Sequence, residues 1–491
     1  MKKKFAKLLG YDPIAKETTF KTEVIAGIVT FLAMAYILTL NPTLILSDTE
    51  YSALWPSLFI ATGLAAVVGT LLMAFVAKMP LAQASGMGLN TMMAGMIGIG
   101  AASQYGVRFT VGQSFMMVLI AGIIVLVLSV IKIKGKTFRE LIFDAMPVPV
   151  RGAICVGIGL FIAYIGFQKA GIIVSGATIS GLVSFTNWEA CKGAILALIG
   201  LFIIAIFDKF NVKGAVVLGI VSATIIGVPF GLTDIEVLAG NSQVSWKFWE
   251  NFANFFTFGE NSVFGSFTSV FTEGFPEGSG FAVVMLIITI CMINMFDAMG
   301  TMVGCCGGNR VLSDESGKPY NYGNIMLSDS LATCAGAMLG TSTVVTFVES
   351  GAGVSAGGRT GLTALSTATM FALALFAMPL FAVIPSAATA AALIYVGVLM
   401  MKNNVKRVDF GNAIKATSAF LTITVMVLSY SITNGIGIGL LSYVLMSIVA
   451  YVFDAIKYAV KKEGKPKWEI SAVAIVISLL FCVYFFVPVT I

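Results

Sequence analysis

From residue 22 to the C-terminus the chain is a succession of apolar runs, most of them near the roughly 20 residues that cross about 30 Å of hydrocarbon, with short polar breaks between them. A water-soluble core could not hold so many such runs. Of the 491 residues 58% are hydrophobic and 11% are charged, whereas an ordinary soluble domain carries about a quarter charged residues. Lipid is therefore the solvent. Within it the backbone must find its hydrogen-bond partners internally, so the chain is expected to be an all-α polytopic membrane protein.

The runs fall at about 22–41, 54–77, 80–97, 109–131, 149–170, 188–208 and 213–231. After a polar stretch from Thr233 to Gly280 they resume at about 281–304, 325–340, 342–358, 361–385, 387–401, 414–432 and 434–456, with one extra run at 469–489. Lys2 to Lys7, Lys132 to Arg139, Lys209 with Lys213, Lys402 to Arg407 and Lys457 to Lys467 all lie on one side of this count. Asp48 with Glu50, residues 172–186 and the Thr233 to Gly280 stretch lie on the other, with Arg108 as the exception. Basic loops stay cytoplasmic, so the N-terminus is expected in the cytoplasm of a multi-pass cell-membrane protein. The net charge of +6 is thus explained by orientation and not by a nucleic-acid partner. Met1 to Lys21 has neither an apolar core nor a cleavage site, so a cytoplasmic segment is expected there and not a signal peptide. Seven cysteines without a CxxC spacing indicate neither a disulfide framework nor a metal site.

Two sets of seven runs share a layout. A full run opens each, a polar-interrupted one stands third in each, and the fifth runs read AICVGIGLF from Ala153 and ALIYVGVLM from Ala392. Seven is odd, so the second set enters the membrane from the opposite side, as in the inverted repeats of secondary transporters. The third run, PLAQASGMGLN from Pro80, combines a restricted start, Gly86 and Gly88, and the polar Gln83, Ser85 and Asn90. In the tenth, TSTVVTFVESGAG from Thr341, the β-branched residues Thr343 to Thr346 favour an extended strand, and Glu349-Ser350-Gly351 suits a helix start. Short strands are therefore expected in spans 3 and 10. Broken backbone survives in a membrane only against protein or a water-lined cavity, and two such breaks in corresponding positions point to a transport site. Isolated glycines such as those of GTMVG at 300–304 read instead as close helix contacts.

Asp297 and Glu349 are the two acids expected deep in apolar runs, at a cost on the order of 2.5 to 3.5 kcal/mol each near a helix centre. A buried pair with Arg359 is the structural explanation; function is the alternative, and intramembrane ionisable groups usually serve it. Asn294 shares the helical face of Asp297. Asp329 is expected near a span end, solvated or capping.

The stretches TEVIAGIVTFLAMAYILTLNP, PLAQASGMGLN, MFDAMGTMVG and TSTVVTFVESGAGVSAGGRTGL resemble the motifs of the nucleobase:cation symporter 2 superfamily, in its adenine, guanine and hypoxanthine permease branch. The resemblance runs from about residue 22 to 456. It implies fourteen spans, commonly in a dimer, with a core domain at 22–131 and 281–385 and a gate domain at 149–231 and 387–456. The cytoplasmic segment 1–21, the external loop 232–280 and the tail helix 469–489 stand outside that plan. It also implies proton-coupled uptake with the base held between spans 3, 8 and 10, where Asn90 ends the span 3 signature and Asp297 and Glu349 are the span 8 and span 10 acids. The family usually continues the span 3 motif as Asn-Ala-Phe-Phe, whereas Thr91-Met92-Met93 follows here, and Phe347 stands where Tyr is frequent. A Met-lined pocket leaves the particular base open.

The expected function is secondary active import of a purine base, hypoxanthine, guanine or adenine, by proton symport with elevator-like movement of core against gate. Glu349 accepts N–H groups of the base, and Asp297 contacts its other edge and carries the proton, with Glu349 as the second proton-coupling candidate. Asn90 positions the base or the acids, and the open N–H groups of Ser350 and Gly351 complete the contacts. Gly88, Thr346, Thr30 and Phe31 line the site, Phe31 as a stacking face. No cofactor is expected. Histidine is absent from all 491 residues, so the coupling ion is either a proton on a carboxylate or not a proton. The alternatives are an anion exchanger on the same fold, which needs positive potential at its site, and a xanthine or uracil permease. A membrane enzyme finds no nucleophile and base pair.

Overall fold

The computed structural model describes residues 3–46, 51–98, 107–133, 135–145, 148–174, 181–210, 212, 214–236, 246–256, 262–306, 309–314, 318–429, 432–461, 468 and 470–486. Among them eight helices are long and apolar enough to cross a membrane, and three shorter apolar helices accompany them. The chain divides into two compact units, one from Met1–Ser129 with Ile162–Val396, the other from Val130–Phe161 with Gly397–Thr490.

The first unit opens with a span in two pieces, α1 (Phe20–Met34) and α2 (Ile37–Ile45). Between them the bonds tighten, with Leu38 N–H donating to Ala35 O and Thr39 N–H to Tyr36 O. Thr19 caps α1 by accepting from Thr22 N–H. α3 (Trp55–Leu72) follows, and then the third run is extended and helical in turn, as β1 (Gln83–Ser85) and α4 (Met87–Ile97). α5 (Val111–Val130) and α6 (Gly280–Cys306) are full-length helices, and α7 (Tyr322–Leu339) is the next. The tenth run repeats the broken pattern as β2 (Val344–Thr346) and α8 (Ser350–Ser355), before α9 (Gly361–Ala374).

β1 and β2 pair antiparallel, Gln83 opposite Thr346, Ala84 opposite Val345 and Ser85 opposite Val344. Gly86 N–H to Thr343 O at 2.8 Å and Phe347 N–H to Ala82 O at 3.0 Å extend the ladder at both ends. The two breaks thus satisfy each other's backbone, which hydrocarbon could not do. Ala65, Ala332 and Val344 form a buried cluster that packs β2 against α3 and α7. α1 lies against both α8 and α9. The contact with α8 is close enough to require glycine: a Cβ at Gly353 would stand 2.9 Å from the Ala26 carbonyl oxygen.

Two lesser helices of this unit, Phe248–Phe255 and Val263–Glu273, belong to the polar stretch after Thr233. They are tied down by Val263 N–H to Ser57 Oγ and by Gln113 Nε2 to the Gly274 carbonyl.

In the second unit Ala153, Val156, Val408 and Ala419 form the buried cluster, with Met401 and Ile423 packed on it. Helices Ala413–Leu428 and Ile432–Lys461 lie against each other, and Ser418 Oγ donates to the Gly439 carbonyl. A Cβ at Gly439 would fall 2.8 Å from the Thr422 Cβ, closer than real Cβ atoms come. The tail forms helix Ala472–Phe486, whose Phe481 and Phe485 pack over Gly437.

Candidate functional site

The short strands deliver their neighbours to a buried polar region of the first unit. Glu349 stands at the N-cap position of α8, 4% exposed. Its Oε1 accepts from the Tyr36 hydroxyl at 2.5 Å, and its Oε2 is buried with no partner. Tyr36 sits where α1 gives way to α2 and is 1% exposed. One carboxylate oxygen is therefore shared with Tyr36 and the other is open, so Glu349 offers a ligand one free oxygen where two are expected from sequence.

Asn90, fully buried on α4, ends a chain of polar side chains. Asn41 Nδ2 donates to Thr62 Oγ1 at 2.6 Å and to Thr341 Oγ1 at 2.9 Å. Ser85 Oγ bonds Thr341 Oγ1 at 2.8 Å and Ser342 Oγ at 2.7 Å, and Ser342 Oγ donates to Asn90 Oδ1. That network fixes which way the Asn90 amide points, leaving Nδ2 without a partner. Thr346 Oγ1, 2% exposed on β2, also lacks one.

Buried polar atoms are nearly always paired in folded proteins. Here an acceptor on Glu349, a donor on Asn90 and a hydroxyl on Thr346 remain open on the two broken segments, which is what a site for a small polar molecule with both donors and acceptors requires.

Asp297 is half-buried on α6, a helix that touches α4, β2 and α8. Glu349 and Asp329 are the charges that act on it. Asp329 departs from expectation: it is 0% exposed within α7, with Gln83 Nε2 at 3.4 Å from its Oδ1, and so is no solvated span-end residue. The sign was its place inside the run 325–340. Asn294 is 0% exposed and donates to Thr333 Oγ1 at 3.3 Å.

The N–H groups of Ser350 and Gly351, expected to be open, are already committed. Ser350 N–H donates to Phe347 O at 3.1 Å and Gly351 N–H to Val348 O at 2.9 Å, because the chain enters α8 through tight turns. The Ser350 hydroxyl instead accepts from Ala82 N–H at 3.0 Å, joining the two broken segments. Gly351 borders open space, for a Cβ there would meet nothing within 4 Å. Gly88 is buried in the first turn of α4. Thr30 turns its hydroxyl to Ala26 O at 3.0 Å, and Phe31 packs edge-on against Phe371 at 5.1 Å.

Arg359 does not pair with either acid of the site. Its guanidinium donates to the carbonyls of Val354, at 2.5 Å, and Gly358, at 2.7 Å. A third acid, Glu23, is fully buried at the start of α1. It accepts from Arg359 N–H at 3.0 Å, Thr360 N–H at 3.3 Å and Thr363 Oγ1 at 2.5 Å. That carboxylate is satisfied and serves the fold.

Comparison with known proteins adds kinship. Residues 21–438 match the family model described as "Permease family". The chain is 34% identical over 475 residues to the guanine/hypoxanthine permease PbuO of Bacillus subtilis, covering 96% of this chain and 98% of that protein. It is also 34% identical over 436 residues to the adenine permease AdeP of Escherichia coli, covering 88% of each. Among solved structures, the transmembrane domain of the cyanobacterial bicarbonate transporter BicA superposes with a TM-score of 0.51 at 15% identity, over 85% of this chain and 97% of that one. SLC26A9 does so with a TM-score of 0.54 at 12% identity, over 92% and 70%. The solved structures share the fold; the sequence relatives share the family. The chain is a multi-pass membrane permease and not an enzyme, and it belongs to this permease family, the nucleobase:cation symporter 2 superfamily that its motifs resemble.

Proposed function

We propose that this permease carries purine bases into the cell by proton symport, with Glu349 as the acceptor that recognises the base. The observation that supports it most is the open Oε2 of Glu349, a buried acceptor held beside a paired backbone break. A purine has ring N–H groups and ring-nitrogen or carbonyl acceptors in one plane. An N–H of the base satisfies Oε2, while an acceptor of the base takes the open Asn90 amide. The relatives named for guanine, hypoxanthine and adenine transport point to the same substrate class.

Asp297 is the proposed proton carrier. Moving a bare carboxylate through the membrane interior is costly, and a bound proton removes that charge. In the transport cycle the core domain, residues 22–131 and 281–385, moves against a gate domain, residues 149–231 and 387–456, with the N-terminus in the cytoplasm. The fold is shared with a bicarbonate transporter, so anion exchange is the rival. Two acids near one site oppose it, because an anion would meet negative charge.

Uptake of labelled hypoxanthine, guanine, adenine, xanthine, uracil and sulfate into proteoliposomes tests the reading. Saturable uptake of one or more of the first three, with none of sulfate, is the expected result. Sulfate uptake without purine uptake would favour the anion exchanger, and preference for xanthine or uracil would move the chain to the other permease class.

A further inference from the structure

We propose that Tyr36 sets which purines this chain prefers, by occupying one of the two carboxylate oxygens with which Glu349 meets the base. This rests on the purine reading given above. The Tyr36 hydroxyl lies 2.5 Å from Glu349 Oε1, and the phenol is fixed at the join of α1 and α2, 1% exposed. The opposite oxygen, Oε2, is the buried one without a partner. The carboxylate therefore offers a ligand one free oxygen, and a second ligand N–H has to share Oε1 with the Tyr36 hydroxyl.

Purines differ in how many donors they place side by side. Guanine carries N1–H and a 2-amino N–H on one edge, parallel and spaced to meet both oxygens of a free carboxylate. Hypoxanthine carries N1–H alone on that edge, with a C–H where guanine has its amino group. With Oε1 already accepting from Tyr36, the extra amino group of guanine meets only a shared, weaker acceptor on Glu349. The phenol thus reduces the advantage that a bare carboxylate would give to two-donor bases, and leaves single-donor bases as comparable ligands.

Equilibrium binding of hypoxanthine and of guanine to the purified full chain, wild type and Tyr36→Phe, tests this. The wild type is expected to bind the two within about threefold of each other. Tyr36→Phe frees Oε1, and guanine should then gain roughly tenfold or more relative to hypoxanthine, the scale of one added bond to a charged acceptor. A purely structural role for Tyr36 lowers both affinities by one factor, and an unchanged ratio in the variant overturns the proposal. The wild-type ratio speaks even where the variant does not fold: guanine bound roughly tenfold or more tighter than hypoxanthine means that both oxygens are already in use, and also overturns it. Binding of neither base to the wild type overturns this inference, and the purine reading falls with it only where adenine does not bind either. Binding of both with no change of ratio sinks only the role of Tyr36.

Discussion

Glu349 has one of its carboxylate oxygens bonded and the other open, and a substitution that keeps its size separates recognition from packing. Glu349→Gln replaces one oxygen by an amide nitrogen. Turned with its NH2 to the base, the amide sets donor against donor, and a buried donor left unpaired costs about 1 to 3 kcal/mol. Turned with its NH2 to Tyr36, whose hydroxyl can accept it, the amide offers the base a neutral oxygen in place of a charged one, roughly halving that bond. Affinity for the purine should fall roughly tenfold or more, read by equilibrium binding to a variant whose melting temperature stays near wild type; unchanged affinity would remove Glu349 from the site. The sequence exposes Glu349 and Asp297 because acids in apolar runs stand out. Tyr36 does not stand out. In YILTLNP it reads as one more apolar filler, and its partner lies 313 positions away, brought near only by the tertiary packing. Asn90 is legible as a polar residue at a break, but its partner Ser342, 252 positions away, is not.

At the level of elements, the β-branched run before Phe347 and the glycines around Ser85 already describe two half-extended, half-helical spans. What they leave unwritten is the register, Gln83 opposite Thr346, because pairing between the two broken segments depends on how α3 and α7 hold the strands. The committed N–H groups of Ser350 and Gly351 are another local detail, set by the tight entry into a six-residue helix. Glu23 is a device of the same scale: sitting in α1, it serves the first turn of α9 from outside. Glu23→Ala would leave the N–H groups of Arg359 and Thr360 and the hydroxyl of Thr363 short of an acceptor where the first unit is densely packed. A loss of about 1 to 3 kcal/mol is expected, seen as a lower melting temperature in detergent with purine affinity retained in the folded fraction. An unchanged melting temperature would show that these groups find other acceptors.

For the whole molecule, the apolar runs and the alternation of basic loops carry most of the architecture, since lipid admits few other solutions. Leu9 O accepts from Gly361 N–H, Lys16 Nζ donates to Val311 O and Thr18 Oγ1 to Gly357 O, so the N-terminal segment lies on the same side as these positions. Charge alternation predicts that this side is cytoplasmic. Glu277, exposed after helix Val263–Glu273, should then face outward. Glu277→Cys, in a background with the native cysteines replaced, is expected to react with an impermeant maleimide added to intact cells; reaction only after the cytoplasmic face is opened would invert the topology.

Transport joins all three scales. Asp297 on α6 lies within the electrostatic reach of Glu349, so its protonation would link the coupling ion to the occupied site. Asp297→Asn should still bind purine and exchange it across the membrane, because the amide resembles the protonated acid in size and charge, but should no longer concentrate it. The most direct measurement is labelled hypoxanthine uptake into proteoliposomes under an imposed pH gradient, acid outside, with no sodium present. The account predicts accumulation above equilibrium by the wild type and exchange without accumulation by Asp297→Asn. Accumulation that persists in Asp297→Asn, or that requires sodium in the wild type, would contradict it.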